Sequence, residues 1–211
     1  MSGAGALTLA AGFAGKIPAR GDFLRAGLPA SFVQPWDDWL AAGMAGARTA
    51  LGEGFDDAYM EAPVWRFALA SGACGPDPVA GVLLPSVDRV GRRFPLTIAL
   101  VLPGADPPGL AACGNWFAAI EAPALAAIAQ DLEPETLTAA LAEAGTPELG
   151  FLPESAALPE AGTLDAAWPV LARLLADPAL SLWWTAGAPR VAPRAFAARA
   201  LPEFASMMAD P

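Results

Sequence analysis

The sequence predicts an α/β layered sandwich, a central β-sheet covered by helices. Three observations point there. Residues 64–102 hold three β-rich apolar runs separated by turn residues, and the flanking segments repeat their apolar residues at helical spacing. Hydrophobic residues make up 55% of the 211 and charged residues only 16%, enough for a sizeable core and far from the composition of a disordered chain. No internal repeat, coiled-coil heptad or interdomain linker divides the chain, so residues 1–211 read as a single domain.

In chain order, Leu7 to Ile17 is apolar, as expected of a first strand that turns at Pro18, and residues 19–23 form a polar loop. Ser31 is placed as the cap of a helix running to about Leu51, with Pro35 in its first turn, where a missing N–H is harmless. Phe32, Trp36, Trp39, Leu40, Met44 and Ala47 form its apolar stripe; Asp37, Asp38 and Arg48 fall off it. Gly52 ends this helix, and a short second one around 56–61 stops at Pro63.

The period then changes. Residues 64–70 alternate as a strand, residues 71–78 turn, and 79–84 and 94–102 are two further strands, giving a three-stranded centre. Beyond Pro103 the pattern is helical over 110–130, interrupted at Pro123, then over 135–144 and 165–176. Residues 145–163 carry three Pro and no strong period, as in a long loop or partly disordered arm. A late strand over 180–186 and a short helix over 204–208 complete the chain. Adjacent residues on a strand face opposite ways, so Trp65 and Arg66 point to different sides, and of Trp183 and Trp184 one is exposed or covered by a helix.

Charge narrows the function classes. The net charge is −10, and between Phe94 and Ala172 there is no Lys or Arg but there are ten acids. Such a surface repels phosphate backbones and anionic lipid heads, which argues against nucleic-acid or membrane partners. The uncharged runs, fifteen residues or fewer, are too short for a membrane span, and the first cation, Lys16, follows the N-terminal apolar stretch, the wrong order for a secretory signal. Two cysteines, Cys74 and Cys113, suggest reduced, partly buried thiols and not a disulfide framework. A cytoplasmic protein is expected.

Catalytic equipment is sparse. The chain has no His, which removes Ser-His-Asp and Cys-His catalysis and His metal ligation. It has no phosphate-cradling Gly-rich loop and no Cys cluster for zinc, so no cofactor is expected. Asp37-Asp38 and Asp56-Asp57 are sequence neighbours that diverge by about 100° on a helix, so each pair belongs to a solvated face. What remains is the charged loop 85–93 between two apolar strands. Ser86, Asp88, Arg89 and Arg92 cluster there. Either Asp88 pairs internally with Arg89 or Arg92, with Arg20 or Asp22 of the first loop contributing, or the loop arginines form a binding surface for an anionic ligand or a partner.

Four ordered blocks carry a family resemblance: Gly15-Lys16-Ile17-Pro18-Ala19-Arg20-Gly21-Asp22-Phe23, Pro35-Trp36-Asp37-Asp38-Trp39-Leu40, Ala62-Pro63-Val64-Trp65-Arg66-Phe67, and the run from Pro85 to Leu96. Together with Ser181-Leu182-Trp183-Trp184-Thr185 they resemble the TagF family of type VI secretion system-associated proteins. The resemblance is dense over 12–103, returns at 180–186, and leaves the acidic, Ala/Pro-rich middle 104–179 unaccounted for. It implies an α/β sandwich and a cytoplasmic accessory protein that represses secretion post-translationally by binding a forkhead-associated-domain scaffold protein. Some members are fused to a phosphatase domain that is not expected here, so no phosphatase activity carries over, and the sparse catalytic equipment argues against an enzyme. On that reading the docking loops contain Arg20, Asp22, Ser86, Asp88, Arg89 and Arg92. The rivals are a structural or assembly subunit of the apparatus and a metal-assisted phosphoesterase using Asp22 and Asp88.

Overall fold

The computed structural model of the chain describes residues 10–148, 177 and 179–210. Seven strands make one antiparallel sheet: β1 (Gly12–Gly15), β2 (Leu24–Ala26), β3 (Trp65–Leu69), β4 (Val79–Leu84), β5 (Leu96–Val101), β6 (Ser181–Thr185) and β7 (Arg194–Ala198), in the order β2-β1-β5-β4-β3-β6-β7. The three expected central strands are the meander β3-β4-β5. Beside it, β5 pairs with the β1–β2 hairpin on one side, and β3 pairs with the β6–β7 hairpin on the other. The edge strands β2 and β7 have no counterpart in the sequence reading. One is three residues long and the other, Arg-Ala-Phe-Ala-Ala, is mostly Ala, which has little intrinsic strand preference.

Alternation along the strands sends side chains to two cores. On one face Phe13, Val82, Ile98 and Leu182 pack under α3 (Pro107–Ala111), α4 (Gly114–Ala129) and α5 (Pro134–Ala144), which contribute Phe117, Ile120, Leu137 and Leu141. On the other, Phe67, Leu69, Val79 and Trp183 pack against α1 (Ala30–Leu51), α2 (Phe55–Met60) and a 3₁₀ turn at Ala205–Met207. The layers are therefore helix, sheet, helix, as the sequence predicts. Within the second core Trp36 of α1 stacks on Trp183 at 6.0 Å with an interplanar angle of 2°, and its indole Nε1 donates to Thr97 Oγ1 at 2.8 Å. Trp65 faces this core, while Arg66 crosses to the other face and meets Glu121 of α4 at 2.8 Å. Trp184 takes the same direction as Arg66 and lies edge-on to Phe117, 4.8 Å away, under α4.

Three local expectations differ from the structure. The helix α1 is entered from Pro29 with no side-chain cap, and Ser31 sits inside its first turn. Pro35 thus lies beyond that turn, and its missing N–H frees the carbonyl of Ser31. The helix α4 runs unbroken through Pro123, because the carbonyl this proline leaves free belongs to Ala119 on the solvent side. The expected helix at 165–176 and most of the expected loop at 145–163 lie outside the described residues, as does the start of the first strand before residue 10. Both cysteines are buried, and burial, helped by Asp37, pushes the Cys74 thiol up to about 12. No helix among the described residues is long and apolar enough to cross a membrane.

Candidate functional site

Because β1 and β5 are neighbours, two loops meet at one end of the sheet: residues 16–23 after β1, and residues 85–95 between β4 and β5. Their junction is tight. Gly15 has φ +132°, and a Cβ there would stand 2.1 Å from the Pro95 carbonyl oxygen, so the conformation and the space both require glycine.

Asp88 organises the junction. Its side chain is fully buried, and its Oδ2 accepts from Lys16 Nζ at 2.6 Å and from Arg92 Nε at 2.6 Å. Its Oδ1 accepts from the backbone N–H of Val90 at 3.0 Å and of Arg92 at 2.9 Å. Burial alone would push this carboxyl up. The hydrogen bonds from Lys16, from both the backbone and the side chain of Arg92, and from the Val90 N–H outweigh it and hold the carboxyl well below the usual carboxylate range. A carboxylate has about four lone-pair sites, and four donors fill them.

The loop around Asp88 is a small hairpin. Its backbone N–H donates to the Arg92 carbonyl, Gly91 turns the chain at φ +82°, and Val87 pairs with Arg93. The hairpin is fixed on each side. Ser86 Oγ donates to the Lys16 carbonyl at 2.7 Å, the Arg89 N–H donates to the Arg20 carbonyl at 2.9 Å, and the Arg92 guanidinium donates to the Gly21 carbonyl. Tyr59 of α2 bonds Ser86 twice, its hydroxyl donating to the carbonyl at 2.8 Å and accepting from the N–H at 3.0 Å. Salt bridges extend the bracing to both helical layers, Arg20 to Glu133 at 2.7 Å at the start of α5, and Arg93 to Asp56 at 3.0 Å in α2.

All six sequence-predicted residues therefore come together, but with divided roles. Ser86 and Asp88 are 1% and 2% exposed and bonded internally, so they shape the loops and offer no side-chain surface to a partner. Asp88 pairs with Arg92, as one of the two readings expects, and not with Arg89. Arg20 and Arg92 are half in use, each holding a carboxylate or carbonyl of the fold. Asp22 and Arg89 are exposed and make no ion pair among the described residues. Three contributors escaped the sequence reading. Lys16 is the second cation on Asp88, Val90 at the hairpin tip is 68% exposed, and Phe23 is 40% exposed and edge-on to Phe94 at 5.4 Å.

This end can present a shaped surface; it is poorly suited to hold a cation. Asp88 has no free lone pair for one, which removes it from the metal-assisted phosphoesterase scheme. Among the described residues no three His, Cys, Asp or Glu side chains gather to hold a metal ion.

Comparison with known proteins supplies the remaining context. Residues 12–144 match the family model of the TagF N-terminal domain, type VI secretion system-associated. No curated protein matches the sequence. Among solved structures, that of PA0076 from Pseudomonas aeruginosa PAO1, a crystal structure at 2.05 Å resolution, is similar over 95% of this chain and 94% of its own, with 37% sequence identity and a TM-score of 0.80.

Proposed function

Since this chain belongs to the family of type VI secretion system-associated TagF N-terminal domains, we propose that it is a cytoplasmic accessory protein that represses secretion post-translationally. It acts by binding the forkhead-associated-domain scaffold protein of the machine and withholding it from assembly, with no chemical step of its own. The end of the sandwich formed by residues 16–23 and 85–95 is the docking surface.

The observation that supports this choice of surface is the hairpin tip. Arg89 and Val90 project from a turn whose backbone is fixed by Asp88, Gly91 and the neighbouring loop, so little conformational freedom remains to be lost on binding. An arginine beside an exposed aliphatic side chain on a rigid support is the composition of an interface anchor. Arg92 is a poor choice for probing it, because its guanidinium also holds Asp88. Arg89 and Val90 have no such duty.

The test is calorimetric titration of the chain with the purified scaffold protein. The wild type is expected to bind with a Kd of about 1 μM or better, about −8 kcal/mol. The double variant Arg89→Glu, Val90→Asp is expected to bind at least about tenfold more weakly with an unchanged Tm. Equal affinities would remove the tip from the interface, and a wild type that does not bind the scaffold would overturn the proposal.

A further inference from the structure

The hairpin tip also carries information about the chemistry of what it meets, an inference that rests on the docking reading above. Acids outnumber cations in this chain by 22 to 12. Carboxylates are thus abundant, and nearly every cation among the described residues has found one within 4.0 Å or stands over an aromatic ring, as Arg48 does over Phe55 at 4.2 Å. Two do not. Arg25 lies on β2, where its charge acts on Asp37 of α1. Arg89 is the other, and it sits at the tip beside Val90, the most exposed large hydrophobic side chain among the described residues.

The support beneath it adds to the imbalance. Lys16 and Arg92 share the single carboxylate of Asp88, so this triad keeps one positive charge, and the Arg92 side chain is 61% exposed. The tip therefore sets Arg89 and exposed Val90 over a triad with one surplus positive charge, with Phe23 exposed on the neighbouring loop, in a molecule whose net charge is −10. Asp22, the one exposed acid of these loops, has no ion pair among the described residues and offsets part of this charge.

We propose that the surface received by this tip is an apolar pocket rimmed by carboxylates. Val90 enters the pocket, and Arg89 pairs with the rim. At a distance, the net charge of the chain repels such a partner. At contact, beyond about 8 Å of screening in physiological salt, only the charges of the tip are felt. The attraction is therefore local and favours register over rate.

The experiment has two arms on the full chain. In the first, the purified scaffold protein is immobilised and binding of Arg89→Lys, Arg89→Ala and Arg89→Glu is measured at low and high salt. The expected order is wild type, Lys, Ala, Glu, with the Glu variant at least about tenfold weaker than the Ala variant and the gap closing at high salt. Binding of the Ala and Glu variants with equal affinity would overturn the acidic rim while leaving the docking reading in place. In the second arm, the peptide acetyl-Glu-Leu-Phe-Leu-Glu-amide and its counterpart with Lys for Glu are titrated against the chain by NMR. Selective shifts of the amides of residues 89–91 with the Glu peptide support the proposal even if the scaffold fails to bind. Equal responses, no response, or a preference for the Lys peptide would overturn it.

Discussion

Trp183→Ala is expected to destabilise the protein by about 3–5 kcal/mol, as deletion of a fully buried indole does. Trp183 is 0% exposed and touches three other aromatic side chains of the core, Trp36 at 6.0 Å, Trp39 at 5.8 Å and Phe67 at 5.2 Å between centroids. Collapse of the site is hindered because two of these neighbours are pinned: Trp36 donates to Thr97, and Trp39 donates to the Pro202 carbonyl. The more discriminating experiment compares Trp183→Phe with Trp36→Phe. The two changes remove the same atoms from adjoining buried positions. The Trp183 Nε1 has no hydrogen-bond partner among the described residues, so its loss costs only packing. Loss of the Trp36 Nε1 strands the buried Thr97 hydroxyl, which adds about 1–3 kcal/mol. Urea denaturation at constant m-value should rank Trp36→Phe as clearly the less stable. Equal midpoints would show that the Thr97 bond contributes nothing.

Asp88→Ala is expected to lower the Tm by on the order of 10 °C and to loosen the hairpin tip, because it leaves two cations and two backbone N–H groups without their acceptor. Asp88→Asn separates charge from shape. It keeps an acceptor for the Val90 and Arg92 N–H groups but turns an amide NH₂ toward Lys16 and Arg92. The folded carboxyl is held below its ordinary value, so its contribution is fully present above the unfolded pKa of about 3.9 and is lost as pH falls toward the folded value. The Tm gap between wild type and Asp88→Asn should thus be constant from pH 7 to about 5 and narrow progressively below about pH 4. A gap that stays constant down to about pH 2 would mean that the charge of Asp88 is not what holds the loops.

The parts of the fold that could be read from the sequence are those whose signal is local. β3, β4 and β5 alternate or run apolar between turn residues, and α1 displays its stripe from Phe32 to Ala47. The edge strands were hidden because a three-residue strand and an Ala-rich one carry almost no local signal, and their pairing depends on strands already in place. Pro123 misled because one lost hydrogen bond does not end a helix whose freed carbonyl, that of Ala119, is on the exposed side. At the candidate site the six residues did converge, but their roles depended on strand order. Lys16 lies 72 residues from Asp88 and becomes its partner only because β1 is inserted beside β5. That Arg89 lacks a carboxylate among the described residues is invisible in a sequence rich in acids, since it emerges only once the other cations have been paired. The family resemblance, drawn from blocks within 12–103 and 180–186, agrees with the family match over 12–144 and with a structural likeness that spans both regions.

The place of β6 in the sheet bears on how the protein is made. The Ala70 N–H donates to Ser181 Oγ, 111 residues further on, and Phe67 pairs with Trp183. As the chain leaves the ribosome, β3 can complete its meander with β4 and β5 but must wait, one flank bare, for a strand not yet translated. Closing so long a loop is slow, and the waiting edge is apolar. Between the synthesis of α5 and that of β6, the nascent chain therefore keeps this edge open to association with its neighbours and to proteolysis, and it is over this interval that a chaperone would most change the yield.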